Sequence, residues 1–359
     1  MPLPSPALPI SAEHTMTRNP AAHIPLVEVT RGGLVESLHL GAFAAVDETG
    51  DLLVDAGDSA APFYPRSTLK PLQLTAMLRA GLDLPPELLA LAAASHSGAP
   101  EHVAGARRIL GLHGLEESDL GNAPDLPYGA AEREKHLRAG GTRTRLVQNC
   151  SGKHAAMLAT CMINGWSRAD YLDPAHPLQR LIAATIAELT GESADVLTTD
   201  GCGTPLPSSS LRGIARAYAA LAAAAPRTSA ARAAAAMRAH PEMVGGPGRD
   251  VTALMRTVPG LIAKDGAEAV QLLALRPPGG RALGIAVKIA DGTDRARLPI
   301  TRAILTALGT EAEALAEITS APVLGGGRAV GELRVAREVW DRLGGRGSTH
   351  EDNRTGLGV

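Results

Sequence analysis

Apolar positions along the chain first alternate, then recur every three or four residues, then alternate again, and this change of period divides the sequence. Between residues 24 and 57, alternating apolar runs are separated by turn residues: 24–29, a break at Arg31-Gly32-Gly33, 34–40, 42–47, a Gly50-Asp51 turn, and 52–56. Such a pattern predicts an antiparallel meander, which needs further strands to complete its sheet. After Tyr64-Pro65-Arg66-Ser67 the period becomes helical, with Leu69, Leu72, Leu74, Met77 and Leu78 forming an apolar stripe. Further helices are predicted over 85–94, from Pro100 to about 110, from Lys153 onward, over 177–189, and through the alanine-rich tract 214–239, which Pro226 interrupts. Residues 111–147 read as polar, glycine-rich loops, and 196–199 as a short apolar run ahead of the turn Asp200-Gly201-Cys202-Gly203-Thr204-Pro205. Strand character returns at 260–266, then in a hairpin over 269–275 and 282–290 across Pro277-Pro278-Gly279-Gly280, followed by a helix at 298–308 and a final strand at 329–335.

Strands from both chain ends are most simply buried in one antiparallel or mixed sheet, which makes the expected class α/β (α+β). The sheet lobe would comprise 24–65 and 256–343, and a mainly helical lobe 66–255, with a site in the cleft between them. A chain of 359 residues is long enough for such a division. Residues 1–23 and 344–359 are expected to be a disordered leader and tail.

Composition narrows the ligand class. Net charge is −2 and aromatic residues make up 2% of the chain, so neither the basic stripe nor the stacking platform of a nucleic-acid binder is present. A small-molecule ligand is the default that remains. No apolar run approaches the ~20 residues needed to span a bilayer. The first residues lack a charged segment followed by an apolar one, so no signal peptide is read and the expected compartment is the cytosol. Cys150, Cys161 and Cys202 then read as thiols, with Cys161 in the core. No internal repeat is visible, and the glycines at 325–327 lack the Lys-Ser/Thr of a phosphate cradle.

Of 35 basic residues, only Lys70, Lys135, Lys153, Lys264 and Lys288 are lysines. Arginine cannot give up its proton in a protein, whereas a desolvated lysine becomes a neutral base, so each surviving lysine is a candidate for chemistry. Lys70 follows Ser67 by three positions at the entry to an apolar helix, which puts both on one face. A neutral Lys70 within reach of Ser67 would take its proton as the hydroxyl attacks a carbonyl carbon, with first-turn amides as an oxyanion site. The bland alternative is an N-cap serine and a solvated lysine. The segment 148–157, QNCSGKHAAM, gathers a cysteine, a lysine and a histidine at the start of a helix, with Ser151 available as its cap. Ser95-His96-Ser97 reads either as a helix-end cap or as part of a site, and Lys264 either as a turn lysine or as a second buried amine. Cys150 and Cys202 are too far apart in sequence for a local zinc pattern and stand equally as buried thiols or as a metal pair.

Together, YPRSTLKPLQ, ASHSG-PEHV, QNCSGKHAAML, TDGCGTP, HPEMVGG-GR and ALGIAVKIADG occur in the order and spacing that resembles the bacterial asparaginase II family. The branch is that typified by rhizobial thermolabile asparaginases, unrelated in fold to the threonine-nucleophile enzymes. The resemblance runs from about residue 25 to 335. It implies a fold similar to serine β-lactamases and glutaminases, hydrolysis of L-asparagine in the cytosol, and a homodimer. It also implies two Ser-Lys pairs, Ser67 with Lys70 and Ser95 with Lys264, with Arg66, His154 and Asp200 lining the substrate pocket. Zinc would be held by Cys150, Lys153 and Cys202. The chain departs from some relatives where they carry a further cysteine after HPEMVGG-GR, since it reads Asp250-Val251-Thr252 there. Two rival readings remain: a penicillin-interacting Ser-x-x-Lys hydrolase, and a non-enzymatic zinc-binding or redox-sensing protein.

Overall fold

A computed structural model describes residues 22–344 except 278, 311–314, 316, 317, 319 and 320. The expected leader and tail therefore lie outside the described residues, apart from their innermost positions. In chain order the elements are β1 (Ile24–Arg31), β2 (Leu34–Asp47), β3 (Leu52–Ala56), a 3-10 turn (Arg66–Leu69), α1 (Lys70–Arg79), α2 (Pro86–Ala92), α3 (Pro100–Leu112), α4 (Ala130–Arg138), α5 (Ser151–Asn164) and α6 (Pro177–Thr190). They continue with β4 (Leu197–Thr199), β5 (Pro205–Pro207), α7 (Leu211–Ala223), α8 (Ser229–Ala239), α9 (Pro241–Val244), α10 (Asp250–Thr257), β6 (Ile262–Gly266), β7 (Val270–Leu275), β8 (Leu283–Ile289), α11 (Arg297–Ala307), β9 (Val323–Gly325), β10 (Arg328–Gly331) and β11 (Leu333–Val335), ahead of a last short helix, Arg337–Arg342.

The antiparallel sheet expected from the two chain ends is present. Its order is β11-β1-β2-β8-β7-β6, with β3 also paired to β2. Every residue of β7 and nearly every residue of β8 is buried, because α7 packs on β8, β2 and β7 while α11 contacts β8, β1 and β11. That double cover is why these strands read as almost continuous apolar runs and not as strict alternation. In β2 the change occurs within one strand: exposed Leu34 and Leu38 give way to a fully buried Ala42–Val46 stretch where β8 pairs alongside. The two runs read at 34–40 and 42–47 are thus one strand. The final strand read at 329–335 divides, with β10 pairing β9 in a separate hairpin while β11 joins the main sheet.

Most helices follow the expected pattern; α9, α10 and the last short helix, Arg337–Arg342, have no counterpart among the predicted ones, α4 replaces an expected loop, and the cap of α5 differs. Residues 130–138, AAEREKHLR, form α4 where a loop was expected. No residue of that helix is buried, so it has no apolar stripe for periodicity to detect. At the start of α5 the N-cap position belongs to Cys150, which makes no side-chain cap bond, and Ser151 is the first helical residue with its Oγ bonded to His96 Nε2 at 2.9 Å. The other end of α5 is conventional: Gly165 adopts the left-handed conformation, φ +64, that closes a helix.

Two close approaches position the chemistry. A Cβ on Gly152 would lie 2.6 Å from Leu91 Cγ and 2.7 Å from the Leu91 carbonyl, so its absence lets α5 lie against α2. A Cβ on Gly266 would lie 2.9 Å from the Pro65 carbonyl, so the end of β6 abuts the turn that carries Ser67.

Candidate active site

The site begins with backbone strain. Arg66 has φ +56, a left-handed conformation that costs a residue with a Cβ roughly 1–2 kcal/mol. Its Nε donates to Asp200 Oδ1 at 2.8 Å, an ion pair that ties the 66–69 turn to the β4–β5 hairpin and helps offset the strain. Ser67 follows directly. It is half-buried, and its Oγ makes no hydrogen bond among the described residues.

Lys70 opens α1 and is fully buried. Its Nζ donates to the Ala94 carbonyl at 2.5 Å and to Ser95 Oγ at 3.0 Å. The expected Ser67–Lys70 contact is thus replaced by a bond from Lys70 to the second serine. Lys264 is no turn lysine but lies within β6, fully buried, with Nζ 2.8 Å from the same Ser95 Oγ. Ser95 therefore sits between two lysine amines. The segment that carries it is not a helix cap: Ser95 N–H bonds to the Val244 carbonyl, His96 N–H to Asn149, and Ser97 N–H to Gly245. Three of the sequence motifs are laced together by these bonds.

Burial, with the nearby charges of Lys70 and Arg249, pushes the Lys264 amine down to about 8 against the opposing pull of Asp265. Asp265 Oδ1 accepts from Lys264 Nζ at 2.7 Å, and the Asp265 carbonyl accepts from it at the same distance. Arg249 Nη2 donates to Asp265 Oδ2 at 2.5 Å while Nη1 donates to the Ser95 carbonyl at 3.2 Å.

Beside this group lie Cys150, Lys153 and Cys202, all buried. Lys153 Nζ is 3.1 Å from Cys202 Sγ and 3.0 Å from Thr204 Oγ1. Cys202 is held well below the usual thiol range by its hydrogen bond with Cys150 and by Lys153, against the cost of burial. The same hydrogen bond and burial push Cys150 well above that range. Burial opposes the charge on Lys153, yet the Cys202 and Cys150 sulfurs outweigh it and raise its pKa. Lys70 joins the two groups electrostatically, since its charge acts on both Cys150 and Lys264.

His154 is fully buried, and burial together with Lys153 pushes it down to about 4, so it is neutral. Its Nδ1 lies 2.7 Å from Tyr171 Oη, which itself accepts from the Gly121 N–H. The Tyr171 hydroxyl proton is then directed at Nδ1, an assignment made from hydrogen bonding, and Nε2 carries the ring proton. Nε2 is buried with no nitrogen or oxygen partner among the described residues, and the ring's remaining hydrogen bond is with the Cys202 sulfur, whose thiol it helps hold low.

These residues include every sequence candidate. Those missed are Asp265, Arg249, Tyr171 and Thr204. Asp265 adjoins Lys264, Arg249 closes the HPEMVGG-GR segment and Thr204 lies in DGCGTP, but no spacing rule linked any of them to the serines or cysteines. As to a metal, no three His, Cys, Asp or Glu side chains are grouped to hold one among the described residues. The two thiols therefore need Lys153 as third donor, and the convergence of soft sulfur with one nitrogen suits zinc, provided the lysine gives up its proton. A separate cavity of about 420 Å³, lined by Ile182, Ile186, Leu197 and Pro205 among others, contains none of the lysines, serines or cysteines above.

Several solved structures are similar to this chain at low identity. A β-lactamase from Sphaerobacter thermophilus is 17% identical, covering 76% of this chain and 92% of its own with a TM-score of 0.42. Mglu in its native form is 18% identical over 76% of this chain and 65% of that one, with a TM-score of 0.41. The Bacillus subtilis glutaminase YbgJ, covalently bound to 5-oxo-L-norleucine, is 17% identical over 71% and 80%, with a TM-score of 0.32. No curated protein matches the chain. The family profile described as L-asparaginase II matches residues 27–335, and with that match across most of its length the chain belongs to the L-asparaginase II family.

Proposed function

We propose that the protein hydrolyses L-asparagine to L-aspartate and ammonia through an acyl-enzyme on Ser67. The observation that carries this reading is a serine hydroxyl, Ser95, held by two buried lysine amines, one of which, Lys70, follows Ser67 by three residues; the Ser67 hydroxyl has no hydrogen-bond partner among the described residues. Because Ser95 Oγ accepts from Lys70 and Lys264 with both lone pairs, its own proton is left to donate outward. Ser67 Oγ attacks the carboxamide carbon and yields its proton to Lys70, three residues on at the entry to α1. As the C–N bond breaks, Ser95 passes a proton to the departing nitrogen and is resupplied by Lys264. Water then cleaves the ester, forming the aspartate carboxylate and restoring the Ser67 hydroxyl. Arg66 and Asp200 supply opposite charges for the α-carboxylate and α-ammonium groups, and the neutral His154 ring, hydrogen-bonded to the Cys202 sulfur, lines the pocket.

In an assay of ammonia released from L-asparagine by the purified protein, turnover is expected. L-glutamine should be disfavoured by only ~1–3 kcal/mol, the usual discrimination against one methylene. Equal or faster turnover of glutamine would overturn the choice of substrate while leaving the amidase chemistry in place. No ammonia from either would overturn both.

We infer that Cys150, Cys202 and Lys153 hold zinc. When bound, zinc would act as a Lewis acid that orders the substrate pocket, since Ser67 already supplies the nucleophile. Cys150→Ser, or chelation of protein purified without chelator, should mainly raise KM with a smaller loss in kcat. Full activity in protein shown to be metal-free would reduce the cysteines to packing roles, and complete loss of kcat at saturating asparagine would make the metal catalytic. The described residues contain no helix long and apolar enough to cross a membrane. We place the protein in the cytosol, supported by its free cysteines, and take it to be a homodimer by family resemblance.

A further inference from the structure

Asp265 and Arg249 touch no position assigned to the substrate, yet both are bonded to groups that do the chemistry. Asp265 is almost completely buried, and its two oxygens are divided, Oδ1 to Lys264 Nζ and Oδ2 to Arg249. Arg249 is similarly divided between that carboxylate and the main-chain carbonyl of Ser95, and its guanidinium lies 4.6 Å from the centre of the Tyr128 ring. The pair therefore closes a ring of contacts: Ser95 Oγ to Lys264, Lys264 to Asp265, Asp265 to Arg249, and Arg249 back to the Ser95 carbonyl. A strand, a loop and the residue ahead of α10 meet in it. A lysine side chain has four rotatable bonds, and a bond to Ser95 alone would not hold its amine in one place.

We propose that Arg249 and Asp265 are positioning residues which set where the Lys264 amine stands relative to Ser95 and bias the charge it carries. This inference rests on the reading of Ser95 and Lys264 as the proton relay of an amidohydrolase. The charges facing Lys264 are Lys70 from α1, Asp265 beside it and Arg249 from the segment before α10. Behind them Arg297 on α11 pairs with Asp250 at 2.9 Å, and against the cost of burial Lys264, Arg249 and Arg297 together hold the Asp265 carboxyl well below the usual carboxylate range. Tyr128 and Tyr218 have raised pKa values through burial, and His96 is lowered by it, so none of the three carries charge near neutral pH.

The signs for the two partners are opposite. Asp265 favours the ammonium form of Lys264, so removing its charge should move the titration of that amine to lower pH. Arg249 disfavours it, so removing that charge should move the titration to higher pH. Each shift should be about 1–3 units, the usual effect of a close charge. The amine can be followed without any substrate by NMR of protein carrying ε-13C lysine, since the chain has only five lysines, with Lys264→Arg identifying the signal.

The test compares wild type, Asp265→Asn and Arg249→Gln, each as the full chain, by this titration and by the pH dependence of kcat/KM with asparagine. The expected result is a downward shift in Asp265→Asn and an upward shift in Arg249→Gln, with the alkaline limb of kcat/KM moving the same way, since Lys264 must hold its proton to resupply Ser95. Both variants should also lose roughly 100-fold in kcat, the order expected for a misplaced catalytic group, with KM little changed. A Lys264 titration within 0.3 units or so of wild type in whichever variant folds would overturn the proposal, whatever the activity. Opposite shifts in a protein that releases no ammonia from asparagine would support the positioning role and overturn the amidohydrolase reading.

Discussion

Replacing Ser67 or Lys70 by alanine is expected to lower kcat by on the order of 10⁴-fold or more, and the double variant should be little worse than either single one. Non-additivity is expected because a nucleophile and its base act as one unit. The Ser67→Ala change removes a hydroxyl with no hydrogen bond among the described residues, so its cost should be confined to catalysis and thermal stability should hardly change. Lys70→Ala differs. It removes a fully buried side chain and strips Ser95 and the Ala94 carbonyl of a donor, so some loss of stability should accompany the loss of rate. Lys70→Arg should fail to restore turnover, since arginine cannot serve as a neutral base. Steady-state kinetics with asparagine, paired with thermal melts, check all of this. Near-normal turnover by Ser67→Ala would remove Ser67 from the role of nucleophile and leave Ser95 as the next candidate.

Ser95→Ala should cost about 10²–10⁴-fold in kcat, the range for loss of a general acid. The hydroxyl accepts from Lys70 at 3.0 Å and from Lys264 at 2.8 Å, so its loss breaks the link between the two amines. The distinguishing measurement is the order of steps. If Ser95 delivers the proton to the leaving ammonia, acylation with asparagine should slow far more than reaction with an ester whose leaving group needs no proton. An equal loss with both substrates would show that Ser95 serves attack and not departure. Ser97→Ala is the matched control, because Ser97 Oγ donates only to the Gly245 carbonyl, at 2.8 Å.

The scarcity of lysine had a physical outcome. Lys70, Lys153 and Lys264 are among the largest fully buried side chains in the protein, while Lys135 lies exposed on α4 and Lys288 is spent on the carbonyls of Glu268 and Ile289. A chain that uses arginine for exposed charge keeps three of its five lysines where an amine is buried.

Local periodicity by itself determined the sheet strands and most helices. Alternation and the three-to-four repeat are consequences of which face is buried: in α6 the core imposes the helical repeat through Leu178, Ile182 and Ile186, whereas β7, buried throughout, reads as a nearly continuous apolar run and α1 is buried on nearly every side. It failed at α4, which buries nothing, and at the cap of α5, where Ser151 is drawn away by His96. The three-residue spacing of Ser67 and Lys70 likewise put both at one helix entrance. Only the tertiary structure decided whom Lys70 bonds. Ser95 lies 25 residues from Lys70 and 169 from Lys264, and the Arg249 bond to Ser95 spans 154. Contacts at such separations arise where α1, β6 and the 95–97 segment are forced together by burial and by glycines that admit close approach, and no repeat within one segment records them. The same holds for His154 with Tyr171 and for Cys150 with Cys202. The residue types were written along the chain, but their pairing and their protonation come from the low-dielectric interior that the packed fold creates around them.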